Sequence, residues 1–497
     1  MSDKLILAVD QGTSGTKTVI FDDRGRIVAK ATSELKSYYP APGFVEQNPD
    51  EIYKSVLDSV KKCLSELDKS GGSISDISAC GISNQRETFV LWNDHGEPLC
   101  NAVVWQCKRS VDICSRLKSE GLEKEIVERT GLIIDPYFSG TKLLWLYEND
   151  SRVRDAFDGG NAYFGTVDTW LLYRLTNGSH YYTDHTNASR TLLFNINDMQ
   201  WDSYLLDAFH LQNLNLPDVL PSSSTFGESD FNGLFPGKLR ITGMIGDSHA
   251  AAFGEGCFTP GTAKATLGTG SSILMNTGGE LIRSKSGMMT TVCWSTPDRI
   301  DYALEGIIVS AGSTIKWLRD QIGLFAESSD TEGMAEVAGD NNGVYVIPAF
   351  SGLGAPHWKM DARGTIIGLT FGSTKNHIVR AALESIPYQI KDVIVAMESD
   401  SSIPLSELKA DGGITSNIFV MNFLADLLGV DVVNIGMAEV SALGAAFMAG
   451  LEAGVFESIE SLNSLRTNIN HYAPGPDAER ARKDYEGWKF HIGNLMK

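Results

Sequence analysis

Residues 5–9 form an unbroken apolar run that ends on Asp10. Two further apolar runs follow at 18–21 and 27–29, separated by Gly12-Thr13-Ser14-Gly15 and by Asp22-Asp23-Arg24-Gly25. Short apolar runs bounded by turn residues predict a three-stranded β-meander. The pattern then changes period. Asn48-Pro49-Asp50-Glu51 supplies a cap, a proline at the first helical position and an acid in the first turn. Ile52, Val56, Leu57, Val60, Leu64 and Leu67 recur at helical spacing behind it, which predicts an amphipathic helix. Residues 74–82 predict a strand that runs into the polar segment Ser83-Asn84-Gln85-Arg86-Glu87.

The opening device recurs half a chain later. Residues 262–267 predict a strand, Gly268-Thr269-Gly270 a turn, 273–275 a second strand and Gly278-Gly279 another turn. A strand is predicted at 408–410, ending in Asp411-Gly412-Gly413, and helices at 376–397, 417–428 and 441–456. Pro387 falls inside the first of these helices and is expected to kink or break it. Alternating strands and helices predict an α/β fold. The repeated hairpin predicts two similar domains, 1–255 and 256–497, with the glycines at 254, 256 and 261 marking the junction.

Length agrees with that division. The chain has 497 residues, and a single core stops growing near ~250–300 residues. Its 42 basic and 62 acidic residues leave a net charge of −20, so no basic surface is available to neutralise a nucleic-acid backbone. A local site for a small phosphate compound remains open. No apolar run reaches the ~18 residues of a membrane span. Seven scattered cysteines with no CxxC spacing point to reduced thiols and a cytoplasmic protein. The 49 glycines are the one unusual count, and they imply many tight turns or close backbone approaches.

The candidate chemistry gathers at strand ends. Walker A, GxGxxG, HExxH and GxSxG motifs are all absent. In their place stand Asp10 before Gly12-Thr13, Asp247 after the strand-like 240–246, the Gly268-Thr269-Gly270 turn and Asp411-Gly412-Gly413. Phosphate needs oriented N–H groups and Mg²⁺ needs carboxylate oxygens, and this set offers both. An Asp before a helix also serves as a simple cap. Arg86-Glu87, with Trp105 and Pro136-Tyr137-Phe138 downstream, pairs a polar fork with aromatic walls. That suits a polyhydroxyl ligand, and equally a solvated loop beside core aromatics.

The chain resembles the FGGY carbohydrate kinases over nearly its whole length. The resemblance rests on AVDQGT (8–13), SNQRET (83–88), NAVVWQ (101–106), DPYFSGTKLLW (135–145), GTVDTWLLYRLT (165–176) and TDHTNASRTLLFNI (183–196). In the second half it rests on GTG (268–270), YALEG (302–306), KWLRD (316–320), PAFSGLGAP (348–356), ADGG (410–413) and SALGAA (441–446). It is strongest to the members that phosphorylate glycerol. It implies two ribonuclease H-like, actin-type ATPase domains with a cleft between them, and transfer of phosphate from ATP with Mg²⁺ to a polyol or sugar hydroxyl. By position, Asp247 matches the catalytic base and Asp10 the Mg²⁺-associated acid. Thr13, Ser14, Lys17, Gly268 and Thr269 match the phosphate turns, and Gly312, Gly413 and Asn417 match positions around the adenosine. Arg86, Glu87, Trp105, Tyr137, Ser248 and Ser272 match positions around the acceptor. The assembly to test is a homodimer or homotetramer.

Three positions depart from the glycerol-phosphorylating pattern. Ser248 stands where Gln is usual, Ser272 where an aromatic is usual, and Lys17 where Arg is usual. The two serines enlarge one wall and make it polar, so the alternative acceptor is a larger polyol or ketose: erythritol, a pentitol, xylulose or ribulose. The alternative to that enlargement is that His249 or another side chain fills the space. The glycine-rich fructose bisphosphate site of some members is not recognisable around residues 233–242. The actin-type fold also hosts non-enzymes, but Asp247 together with Arg86-Glu87 favours a kinase.

Overall fold

A computed structural model describes residues 4–465 and 470–496. The predicted meander forms as Leu5–Gly12, Gly15–Phe21 and Ile27–Glu34. It pairs antiparallel in order, with Asp10 opposite Lys17. Ile77–Asn84 adds parallel to the first strand, Leu239–Gly246 adds parallel to that, and Ser223–Ser229 closes the far edge. The strand predicted from residue 74 starts at Ile77, because Ser73 caps a short turn over Ile74–Asp76.

The first strand is buried on both faces, which explains its unbroken apolar run. Leu5, Leu7 and Val9 pack with Ile52, Val56, Val60 and Leu64 of helix Pro49–Lys69. Asn48 caps that helix by accepting from the N–H groups of Asp50 and Glu51. Ile6 and Ala8 face the other way, onto helices Asp247–Glu255 and Val440–Glu452. These two helices are rich in alanine and glycine and cross closely. A Cβ on Gly444 would overlap the Ala250 carbonyl oxygen. Val440–Glu452 therefore packs on the first sheet, although it lies late in the chain. It ends four residues before the expected position, because Gly454 takes a left-handed conformation at φ 68°.

The second sheet repeats the first. Thr262–Leu267, Ser271–Gly278 and Arg299–Ile308 pair antiparallel in order. Glu407–Asp411 and then Asp431–Asn434 add in parallel on the other side. With the edge strands Ser223–Ser229, Met289–Thr296 and Asn470–Tyr472 left out, both sheets carry the order 3-2-1-4-5 by position in the chain. Two α/β domains of the ribonuclease H-like, actin-type ATPase kind are thus present, as expected. Met289–Thr296 and Asn470–Tyr472 extend the edges of the second. Helix Lys375–Ser401 covers it and runs through Pro387 without a break, held by burial of Leu383, Ile386, Ile390, Val393 and Ile394. A separate four-stranded sheet, built from Glu46–Gln47, Ala102–Val103, Phe89–Trp92 and Tyr163–Thr166, stands beside the first. No helix among the described residues is long and apolar enough to cross a membrane, and all seven cysteines are free thiols.

Candidate active site

Parallel strands that end together place their following residues together. Strand Leu5–Gly12 delivers Asp10, strand Ile77–Asn84 delivers Arg86 and Glu87, and strand Leu239–Gly246 delivers Asp247. Asp247 opens its helix and keeps 40% of its side chain exposed. One of its oxygens accepts from the Ser248 N–H at 2.6 Å. The same oxygen ion-pairs with Nε of Arg86 at 3.2 Å. Asp10 accepts from the Ser83 hydroxyl at 3.1 Å. Burial, followed by the charge of Asp247, raises the Asp10 carboxyl to about 6.

Arg86 is buried. Its Nη2 donates to Glu305 Oε1 at 2.9 Å, and its Nη1 is buried with no hydrogen-bond partner among the described residues. A guanidinium held on two sides with one free nitrogen is a ready donor for a ligand hydroxyl. Glu87 has a φ of +60°, unusual for a residue with a side chain. Ser139 donates to its carbonyl at 2.9 Å, and Nε of Arg190 grips its carboxylate at 2.7 Å. Burial raises the Glu87 carboxyl despite Arg86 and Arg190. Fixed strain of this kind is typical of functional sites.

The two expected aromatic residues pack on each other. Trp105 and Tyr137 meet edge to face at 5.5 Å. The indole N–H of Trp105 donates to the Thr13 hydroxyl at 2.9 Å, and that hydroxyl donates to Gln85 at 3.3 Å. Thr13 therefore ties the first glycine turn to the acceptor wall, while Ser14 stays exposed at its tip. Lys17 faces Asp10 across the hairpin and lowers its acidity cost.

The opposite wall comes from the second domain. Ser272 donates to Glu305 Oε1 at 3.1 Å and lies 3.5 Å from the Ser248 hydroxyl, which accepts from Lys264 Nζ at 3.1 Å. His249 is fully buried and sits 3.4 Å from the Thr291 hydroxyl. Burial, then the nearby Arg86, pushes its imidazole well below the ordinary value. Buried there, with its protonated form disfavoured, it is a poor proton acceptor for a ligand.

The glycine turns of the second sheet also converge. The N–H groups of Gly312 and Ser313 donate to the carbonyls of Gly268 and Thr269 at 2.9 and 3.1 Å. A Cβ on Gly312 would lie 2.7 Å from the Gly268 carbonyl oxygen, and one on Gly412 would lie 2.5 Å from that of Leu267. Only glycine permits these approaches. Gly413 beside them is open to solvent. Asn417 spends its side chain on capping helix Ile418–Leu428 and on donating to Thr331. A cleft of about 330 Å³ opens next to Thr269, lined by Ser310, Ser313, Trp317 and Phe350 among others.

The family's N-terminal-domain profile, described as the FGGY family of carbohydrate kinases, matches residues 5–254, and its C-terminal-domain profile matches residues 263–453. The chain belongs to the FGGY family of carbohydrate kinases. Among similar proteins, the glycerol kinase of Thermoanaerobacter sp. (strain X514) is 46% identical, covering 99% of both chains. That of Shewanella frigidimarina (strain NCIMB 400) is 44% identical over 99% of this chain and 98% of its own. The crystal structure of Plasmodium falciparum glycerol kinase with ADP superposes with a TM-score of 0.94 at 35% identity, covering 100% of this chain and 99% of that one.

The FGGY fold explains why these strand ends meet. Sequence reasoning placed Arg86, Glu87, Trp105, Tyr137, Ser248, Ser272 and Asp247 in one site, and the structure brings them together around Arg86. It missed Arg190, Lys264 and Glu305. Lys264 was visible as a lone cation in an apolar strand, and Glu305 as the second of two acids, after Asp301, in Arg299–Ile308. Their partners lie far away in the chain, so no local pattern announces them.

Proposed function

We propose that this enzyme phosphorylates glycerol with ATP, giving glycerol phosphate and ADP. The observation that carries the reading is the half-exposed Asp247 paired with Arg86, whose buried Nη1 has no hydrogen-bond partner among the described residues, in a site that also holds the Trp105–Tyr137 pair. The full-length similarity to glycerol kinases supports glycerol as the acceptor.

Arg86, Glu87 and Ser272 hydrogen-bond the acceptor hydroxyls, and Trp105 and Tyr137 cover its carbon chain. Asp247 orients one hydroxyl and accepts its proton as that oxygen attacks the terminal phosphorus of ATP. The bond from that phosphorus to the bridging oxygen breaks, and ADP leaves. Positioning and charge stabilisation do most of this work. Ser14 and the turns at Gly268-Thr269, Gly312 and Gly413 hold the nucleotide, and Lys17 supplies positive charge near its phosphates. The carboxylate of the half-buried Asp10, close enough to Asp247 for the two charges to interact, is an oxygen donor that fits a divalent cation. Mg²⁺ held at Asp10 would neutralise phosphate charge. Among the described residues no three His, Cys, Asp or Glu side chains form a complete metal cage, so the phosphates and water would supply the remaining ligands. We place the junction of the two halves near residue 255, with residues 1–255 carrying most of the acceptor wall.

A coupled ADP-release assay against glycerol, erythritol, ribitol, xylulose, ribulose and gluconate tests this reading. Glycerol is expected to give the highest kcat/KM. A larger acceptor exceeding it would overturn the assignment.

A further inference from the structure

Among the groups around the acceptor pocket, Glu305 has no role in the mechanism above. It sits in the second domain, on strand Arg299–Ile308, and is fully buried. Its Oε1 accepts from Arg86 Nη2 at 2.9 Å and from the Ser272 hydroxyl at 3.1 Å. Its Oε2 ion-pairs with Arg190 Nη1 at 2.7 Å, and Arg190 in turn holds Glu87. One carboxylate thus reaches both halves of the polar fork and the serine opposite. Burial alone would raise this carboxyl, but the Arg190 and Arg86 guanidiniums hold it well below the carboxylate range. It is a permanent anion in this setting.

Two features make that anion more than packing. Arg86 also touches Asp247, so its guanidinium is shared between two carboxylates. Without the pull from Glu305, Arg86 is free to turn wholly onto Asp247. A bidentate pair there would occupy both the base and the donor meant for the acceptor. The second feature is location. Arg86, Glu87 and Arg190 belong to the first family domain and Glu305 to the second.

We propose that Glu305 is a positioning residue for acceptor recognition. It holds Arg86 off Asp247, fixes Glu87 through Arg190, and makes the acceptor site a joint product of both domains. The inference rests on the assignment of Asp247 and Arg86-Glu87 to the acceptor site.

The test measures KM for glycerol and for ATP separately in Glu305→Gln and Glu305→Asp, together with glycerol affinity without nucleotide, read from tryptophan fluorescence or calorimetry. Glu305→Gln keeps an acceptor oxygen but loses the charge. Glu305→Asp keeps the charge but is one methylene too short to span Arg86 and Arg190, and it supplies the answer if the first variant does not fold. The expected result is a rise of tenfold or more in glycerol KM and a matching loss of affinity without nucleotide, with ATP KM within twofold of the parent. A residue that only supports the fold would not split the two constants in this way. Glycerol KM and affinity within twofold of the parent in a folded variant would overturn the proposal. Asp247→Asn, run in parallel, separates the outcomes. If it alone is impaired, the site reading stands and the role of Glu305 fails; if it too is unimpaired, the site reading fails.

Discussion

Arg86 is the residue around which the site is organised. Its Nε pairs with Asp247, its Nη2 donates to Glu305, and its buried Nη1 has no hydrogen-bond partner among the described residues. Ser272 sits on the opposite wall with its hydroxyl already bound to Glu305, so it is anchored rather than loose. His249 is buried with its Nε2 3.4 Å from the Thr291 hydroxyl. The two serines make this wall polar, with their hydroxyls 3.5 Å apart. Ser272→Phe is expected to raise the ratio of kcat/KM for glycerol to that for erythritol. An unchanged ratio in the acceptor panel would remove Ser272 from specificity.

At the scale of elements, much was legible in the chain. The meander, the capped helix at Asn48, the second hairpin at 262–278 and the helix behind Asn417 were all set by local pattern. Patterns of that kind survive because neighbouring residues determine them. The shared site was less visible. Arg190 and Glu305 are 115 positions apart, and only the packing of two sheets brings them to 2.7 Å. The position of Val440–Glu452 was likewise hidden, since its alanines fit any close helix contact. The contact it makes is with Asp247–Glu255, the helix that carries Asp247 at its first turn. Gly444→Val forces these two helices apart, and overpacking of this kind costs ~1–3 kcal/mol. A lower thermal midpoint and a reduced kcat are expected together. A parental melting curve with full activity would show that the crossing has slack.

The whole molecule is two repeats of one strand order joined on their strand ends. That arrangement explains the glycine excess seen in the composition. Glycines stand where one half meets the other, at Gly81, Gly243, Gly254 and Gly444, and inside the close turns of the second half, at Gly312 and Gly412. It also reconciles a charge of −20 with phosphate chemistry. The site carries its own cations, Arg86, Arg190 and Lys264, all buried, and Lys17 beside Asp10. A cleft between two domains can shut water out, which keeps ATP from being hydrolysed in place of acceptor transfer. The claim on which all of this depends is that Asp247 accepts the acceptor proton. The direct measurement is kcat for glycerol-dependent ADP release by Asp247→Asn, at saturating glycerol and Mg-ATP. The expected value is lower than the parent by ~10²-fold or more. A kcat within a few-fold of the parent would contradict the account.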